Sequence, residues 1–150
     1  MIEIPNEYGS LKIKELENFE NENSIRLPED YRNFLIKLNG GTPIKPYLTQ
    51  VETDINTFFG IVDEPDWFSL FDAITDYEGR IPEYTMPIAD DSFGNLFIIG
   101  FGEKNYGQVA FWDHEKESEE KDGGYDYFDN ITILANSFVE FVKKLAPNPN

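Results

Sequence analysis

The chain of 150 residues contains no cysteine, and this absence excludes several chemistries at once. Without thiols there is no disulfide framework, no thiolate nucleophile and no cysteine-ligated metal. A sequence without cysteine fits a reducing compartment. No apolar run near the start resembles a signal peptide, and no run is long enough to cross a membrane. We therefore expect a cytoplasmic protein without a membrane partner.

Histidine is almost as scarce, and the motifs of common active sites are missing. The single histidine, His114, cannot form a paired-histidine zinc site and lies in a polar loop that suits a general base poorly. The Gly-Phe-Gly sequence at 100–102 lacks the third glycine of a dinucleotide loop. An EF-hand alignment on Gly94 puts Ala89 and Phe93 at ligand positions. We expect no enzyme activity, no cofactor and no dedicated metal site.

Basic residues are also few, since 12 Lys and Arg face 29 Asp and Glu, for a net charge of −17. Such a surface repels nucleic acid and anionic membranes and attracts basic macromolecules. Residues 46–99, the middle third, hold eleven acids and one base, Arg80, and so supply ten of the seventeen net negative charges. Solubility alone would not need that asymmetry.

Aromatic residues are plentiful, and the 13 Phe and 8 Tyr supply material for a core. No internal repeat or flexible linker divides the chain, so we expect one domain over 1–150, with 1–9 and 146–150 as frayed tails. Apolar spacing and capping residues predict four helices. They run from Ser10 to about Asn21 with Ile13 on the buried stripe, from Pro28 to the glycines at 40 and 41, from Asp66 to about Glu78 with Trp67 in the core, and from Ser137 to Leu145.

Strand-like segments lie between the helices, at 47–51, 57–62, 86–89, 95–101 and 108–112, with an edge strand at Tyr125, Tyr127 and Phe128. The continuously apolar run at 96–99 is typical of a strand covered on both faces. Helices at both ends around a run of strands predict an α+β fold, with helices packed on an antiparallel sheet.

Two features could carry a binding function. The segment 87–95 is best read as a strand, a tight turn and a strand, although the turn could instead present Asp90 and Asp91 at a sheet end. Aromatic residues also stand among acids, and Trp and Tyr are strong anchors at protein interfaces. The candidate residues for binding a basic partner are Asp63, Glu64, Asp66, Tyr84, Asp90 and Asp91.

Four motifs follow one another along the chain: Leu-Pro-Glu-Asp-Tyr at 27–31 with Leu-Asn-Gly-Gly at 38–41, Ile-Ala-Asp-Asp-Ser-Phe-Gly-Asn at 88–95, Gly-Gln-Val-Ala-Phe-Trp-Asp-His-Glu at 107–115, and Ala-Asn-Ser-Phe-Val-Glu-Phe at 135–141. In this order they resemble the Smi/Knr family of the SUKH superfamily. The resemblance implies a curved antiparallel sheet flanked by N- and C-terminal helices. It also implies a protein that binds others, without established catalytic residues.

Bacterial members of that family act as immunity proteins that block toxins, many of them nucleases. Joined to the charge asymmetry, the resemblance predicts an immunity protein that occludes a basic, nuclease-type toxin with an acidic surface. A non-catalytic scaffold or regulator of the same fold is the alternative, and an acid-dependent hydrolase is the third hypothesis. We expect a monomer or a weak dimer.

Overall fold

A computed structural model describes residues 2–5, 9–117 and 129–150 and shows the expected α+β fold. Within those ranges, four α-helices accompany two antiparallel sheets, and the predicted edge strand at Tyr125, Tyr127 and Phe128 lies outside them. The elements are α1 (Ile13–Asn23), α2 (Glu29–Leu38), β1 (Tyr47–Leu48), β2 (Thr53–Asp54), β3 (Thr57–Phe58), a 3-10 helix (Asp66–Phe68), α3 (Leu70–Asp76), β4 (Thr85–Asp90), β5 (Leu96–Gly100), β6 (Val109–Trp112), a 3-10 helix (His114–Lys116), β7 (Ile131–Ala135) and α4 (Phe138–Lys143).

The main sheet has the order β3-β4-β5-β6-β7, and every neighbouring pair is antiparallel. Strands β1 and β2 form a separate two-stranded sheet. In β4 the register shifts between Pro87 and Ala89. A bulge suits proline there, because proline has no N–H to donate to a regular ladder.

The central strand β5 is buried over its whole length, as its apolar run predicts. Helix α4 covers one face, where the rings of Phe97 and Phe141 lie 5.8 Å apart. The opposite face carries Trp112, whose ring lies 5.7 Å from Tyr77 just after α3. Side chains of successive strand residues point to opposite faces, so both faces of the sheet must be covered.

The predicted helices α2 and α4 are confirmed and pack together on the first face. The ring of Phe138 in α4 lies 5.1 Å from Tyr31 and 5.0 Å from Phe34, both in α2. Ser137 Oγ accepts from Glu140 N at 3.1 Å and so caps α4. In a regular capping box the Glu140 carboxylate would accept from the backbone N–H of Ser137. Here it accepts from Asn136 N at 3.3 Å instead.

The predicted third helix differs most from the structure. The chain first makes a 3-10 turn and begins α3 at Leu70, so Trp67 leaves the helical stripe and is 64% exposed. Phe68 is buried in its place. Helix α1 also begins later than expected, after Lys12, and Ile13 is exposed rather than buried. The placement of both side chains in the core was wrong.

Residues near both ends of the chain pack rather than fray. Ile4 is buried, and Glu3 O accepts from Ile44 N at 2.9 Å. Ala146 and Tyr47 exchange two backbone hydrogen bonds of 2.9 Å. The backbone at Glu3 and at Ala146 therefore has hydrogen-bond partners in the folded chain.

A buried ion pair joins α1 to α2. Glu20 accepts from Arg32 Nη2 at 3.0 Å and from Leu27 N at 2.8 Å, and both charged side chains are buried. Breaking one half of such a pair leaves an uncompensated buried charge.

Replacing Glu20 by alanine should therefore lower the free energy of unfolding by about 3 kcal/mol, as measured in urea. Glu17→Ala removes an exposed carboxylate from the same helix and should change it by less than about 0.5 kcal/mol. Equal effects of the two substitutions would show that the pair does not secure the contact between the helices.

Candidate functional site

Two of the predicted site residues, Tyr84 and Asp90, lie at opposite ends of strand β4. Tyr84 immediately precedes β4, and Asp90 is its last residue. Six steps of extended chain span roughly 20 Å. The candidate residues therefore do not form one patch around the turn 91–95.

The Asp91 side chain stabilises the turn 91–95 and is not part of the exposed surface. It is 4% exposed, and its Oδ1 accepts from Phe93 N at 2.9 Å and Asn95 N at 2.8 Å. Its Oδ2 accepts from Thr53 Oγ1 at 2.9 Å and Asn95 Nδ2 at 2.8 Å. Since Asp91 is itself buried and both of its oxygens accept hydrogen bonds from the folded chain, we correct the assignment of Asp91 to the partner surface: this carboxylate holds the turn.

Asp90 is half-buried beside that turn. Its Oδ1 accepts from Asn56 Nδ2 at 3.3 Å, and burial raises the pKa of the carboxyl to about 6. The neighbouring Asp91 carboxylate acts in the same direction, whereas the Asn56 hydrogen bond lowers the pKa. Asp90 is thus partly neutral just below pH 7 and is a poorer charge for recruiting a cation than a fully exposed carboxylate.

The raised pKa makes a pH-dependent contribution to stability. The folded value lies above the ordinary 3.8, so protonation favours the fold; this contribution is complete below about pH 4 and is lost as the pH rises through about 6. Asp90→Asn should therefore raise the melting temperature more at pH 8 than at pH 4.5. The exposed Asp63→Asn variant is the control for the change in net charge. If Asp90→Asn raises the melting temperature equally at both pH values, the raised pKa of Asp90 is contradicted.

Asp63 lies in a concave site that sequence reasoning did not identify. A cleft of about 400 Å³ opens between α1 and the segment 61–63, and its lining includes Glu15, Asn18, Glu22, Asp63 and Phe71. We call this the acidic cleft, after its three carboxylates. All three acidic residues are exposed.

The local fold sets the position of Asp63. The side chain of Asn39, at the end of α2, accepts from Ile61 N at 2.8 Å and donates to Ile61 O at 3.2 Å, as a neighbouring strand would. Gly60 contacts the backbone of Asn39 so closely that a Cβ would clash. The segment that carries Asp63 is thereby fixed against the N-terminal helices.

Exposed residues continue from the cleft along the chain. Glu64 and Trp67 are both exposed, and Asp66 begins the intervening 3-10 helix. The Trp67 ring meets Phe68 edge-on, with 6.0 Å between the ring centroids. An exposed tryptophan near an exposed acid such as Glu64 is typical of a surface that binds another protein.

Glu15 and Glu22 were missed because residues 1–45 are nearly balanced in charge. A signal was nevertheless present, since Glu15, Asn18 and Glu22 follow i, i+3, i+7 spacing and share one helix face. What sequence spacing could not show is that this face meets Asp63, more than forty residues away.

A second groove lies elsewhere and has a different character. It measures about 740 Å³, lies between residues 2–5, α2 and α4, and is lined mainly by apolar side chains. Its charged residues are Glu3, Asp30, Lys37 and Lys143. No predicted site residue lines it, so it is not the acidic surface that the charge pattern indicates.

No group of three or more metal-ligating side chains converges in the ranges 2–5, 9–117 and 129–150. Nor does any helix of the described part of the chain have the length and apolar character needed to cross a bilayer.

Comparison with known proteins finds a family model and a relative that match this chain. The model of the SMI1 / KNR4 family (SUKH-1) matches residues 11–144, a range that includes α1 to α4 and the acidic cleft apart from its Ser10 edge. A Bacillus subtilis (strain 168) protein named SPbeta prophage-derived uncharacterized protein YokK is 30% identical. That alignment covers 92% of this chain and 74% of the relative.

Proposed function

Since this chain belongs to the SMI1/KNR4 family (SUKH-1), which includes immunity proteins, we propose that it binds and neutralises a basic, nuclease-type toxin. The observation that carries the proposal is the acidic cleft with the exposed Trp67 close by in sequence. The cleft supplies charge and the tryptophan supplies apolar contact area, which together suit a cationic protein surface.

The carboxylates of the cleft keep their charge available for a partner, although Glu15 Oε1 also accepts from Lys12 N at 3.3 Å. In the described part of the chain, the ion pairs within 4 Å use Glu20, Glu29 and Glu117, and none of these lines the cleft. A basic side chain entering the cleft would therefore meet negative charge that the fold has not already neutralised.

Arg80, the one basic residue of residues 46–99, does not offset the negative charge of the acidic cleft. Arg80 donates to Glu117 from Nε and Nη2, both at 3.0 Å. Its guanidinium also lies 4.9 Å from the ring centre of Tyr77 and 5.5 Å from that of Trp112. Arg80 is thus held against the second face of the sheet by Glu117 and the two rings, and it does not neutralise the exposed Asp63 and Glu64.

A nuclease is the toxin class that this surface suits best. A nuclease site must attract phosphate and therefore carries positive charge. Carboxylates in a cleft can compete for the same cations and exclude the substrate. Asp63 is the central proposed contact, Glu64 and Asp66 extend it towards Trp67, and Asp90 stays a separate proposed contact.

The test uses the protein encoded by the gene next to that of this chain. Changing Glu15 and Glu22 to glutamine and Asp63 to asparagine should weaken the complex about tenfold and make its salt dependence shallower. Trp67→Ala should weaken it about 30-fold, because central aromatic anchors contribute most of the binding energy. Calorimetry at two salt concentrations measures both effects, and a nuclease assay measures inhibition.

A matched control removes the same number of charges elsewhere: Glu17→Gln, Glu115→Gln and Asp129→Asn are exposed positions outside the cleft. This variant should change affinity less than threefold. Equal loss in both triple variants would show that only net charge matters and would refute the cleft as the site. Tight binding without inhibition would favour a scaffold over an immunity protein.

A further inference from the structure

Tyr84 combines a strained backbone with an exposed side chain. Its φ of 59° is in the left-handed region, and 64% of the residue is exposed. A bulky residue in this region is an outlier, whereas glycine or asparagine adopts it at a lower cost. Such an outlier on the surface indicates that something other than folding retains the tyrosine.

The turn itself needs only the backbone of Tyr84. Its carbonyl accepts from Phe101 N at 2.9 Å and from Asn105 Nδ2 at 3.3 Å. Asparagine or glycine at this position would offer the same carbonyl with less strain. The hydrogen bonds therefore explain the left-handed conformation but not the choice of an aromatic side chain.

The ring gains little from the folded chain. Its aromatic contact is with Phe101, edge-on at 6.2 Å between ring centroids, and Phe101 is itself only half-buried. Gly102 lies so close that a Cβ there would be 2.7 Å from Tyr84 Cβ. These contacts orient the ring and leave most of it open to solvent.

The residues near the Tyr84 ring indicate which kind of chemical group could bind to it. Glu83 precedes it, and Glu103 follows the glycine that touches it; both are exposed. Lys104, also exposed, is the one cation of this loop, residues 101–107. An exposed aromatic ring with one acid next to it in sequence, and another next to the glycine that it contacts, favours a planar cation such as a guanidinium, which stacks better than an ammonium.

We propose that Tyr84 is a preoriented platform on which an arginine of the protein partner stacks, with Glu83 next to Tyr84 in sequence and Glu103 next to the contacting Gly102. The identity of the partner as a basic protein rests on the proposed function. The platform itself does not, because its residues do not line the acidic cleft.

The first test separates a binding role from a folding role. Tyr84→Asn should raise the melting temperature by about 2 °C, because asparagine tolerates the left-handed conformation. Tyr84→Phe keeps the ring and should leave the melting temperature unchanged. A lower melting temperature for Tyr84→Asn would show that the ring supports the fold, and it would overturn the proposal.

The second test needs no natural partner. Octa-arginine and octa-lysine peptides carry equal charge, so their comparison isolates guanidinium stacking. The NMR signals of the Tyr84 ring should shift at least twofold more with octa-arginine. Replacing Glu83 and Glu103 by glutamine should reduce that shift. Equal shifts with both peptides, or none, would refute the platform.

With the protein encoded by the adjacent gene, Tyr84→Asn should weaken binding about tenfold, and Tyr84→Phe less than threefold. If Tyr84→Asn binds with normal affinity while the cleft variant binds weakly, the platform is refuted and the acidic cleft is not. Absence of any complex with the unmodified chain would refute the proposed function, while the peptide comparison would still decide the platform.

Discussion

The central strands of the main sheet are covered on both faces, and this burial determines where the charge of the protein can lie. Strands β5 and β6 are buried at every position, and β4 is buried except at Asp90, its half-buried last residue. An isolated carboxylate in such a core would have to be neutralised or paired. Within the described residues, the acids therefore lie mainly outside these three strands, in turns, connecting segments and helices.

Acidic residues consequently divide into those that the fold uses and those that it leaves available. Glu20 is paired with Arg32, and Asp91 is surrounded by the donors of its own turn and of Thr53. Asp30 accepts from Val139 N at 3.0 Å and thereby connects α2 to α4. Glu15 accepts from Lys12 N at 3.3 Å at the start of α1, but none of the ion pairs within the described residues uses Glu15, Glu22 or Asp63. For this reason the acidic cleft, and not the total charge, is the candidate binding surface.

The spacing of apolar residues and the capping residues were sufficient to predict several helices and strands. The apolar run of β5, the proline at the start of α2 and the serine before α4 were each read correctly. The SUKH resemblance rested on motifs within these same elements and is confirmed by the family match. Strand β7 was not predicted, since as an edge strand it buries only the last two of its five positions.

The site depended on contacts that spacing cannot reveal. Trp67 fits a helical stripe, but the chain makes a 3-10 turn there and turns the ring outwards. Asp91 looks like any turn aspartate until Thr53, 38 positions earlier, is seen to donate to it. The charge asymmetry pointed to residues 46–99, yet two of the three carboxylates of the cleft come from α1.

Hydrogen–deuterium exchange, recorded for the chain alone and with the protein encoded by the adjacent gene, tests the central claim most directly. The account predicts slower exchange of backbone amides in residues 13–23 and 61–68 in the complex, with α4 unchanged. Slower exchange confined to α2 and α4, beside the apolar groove, would contradict recognition through the acidic cleft.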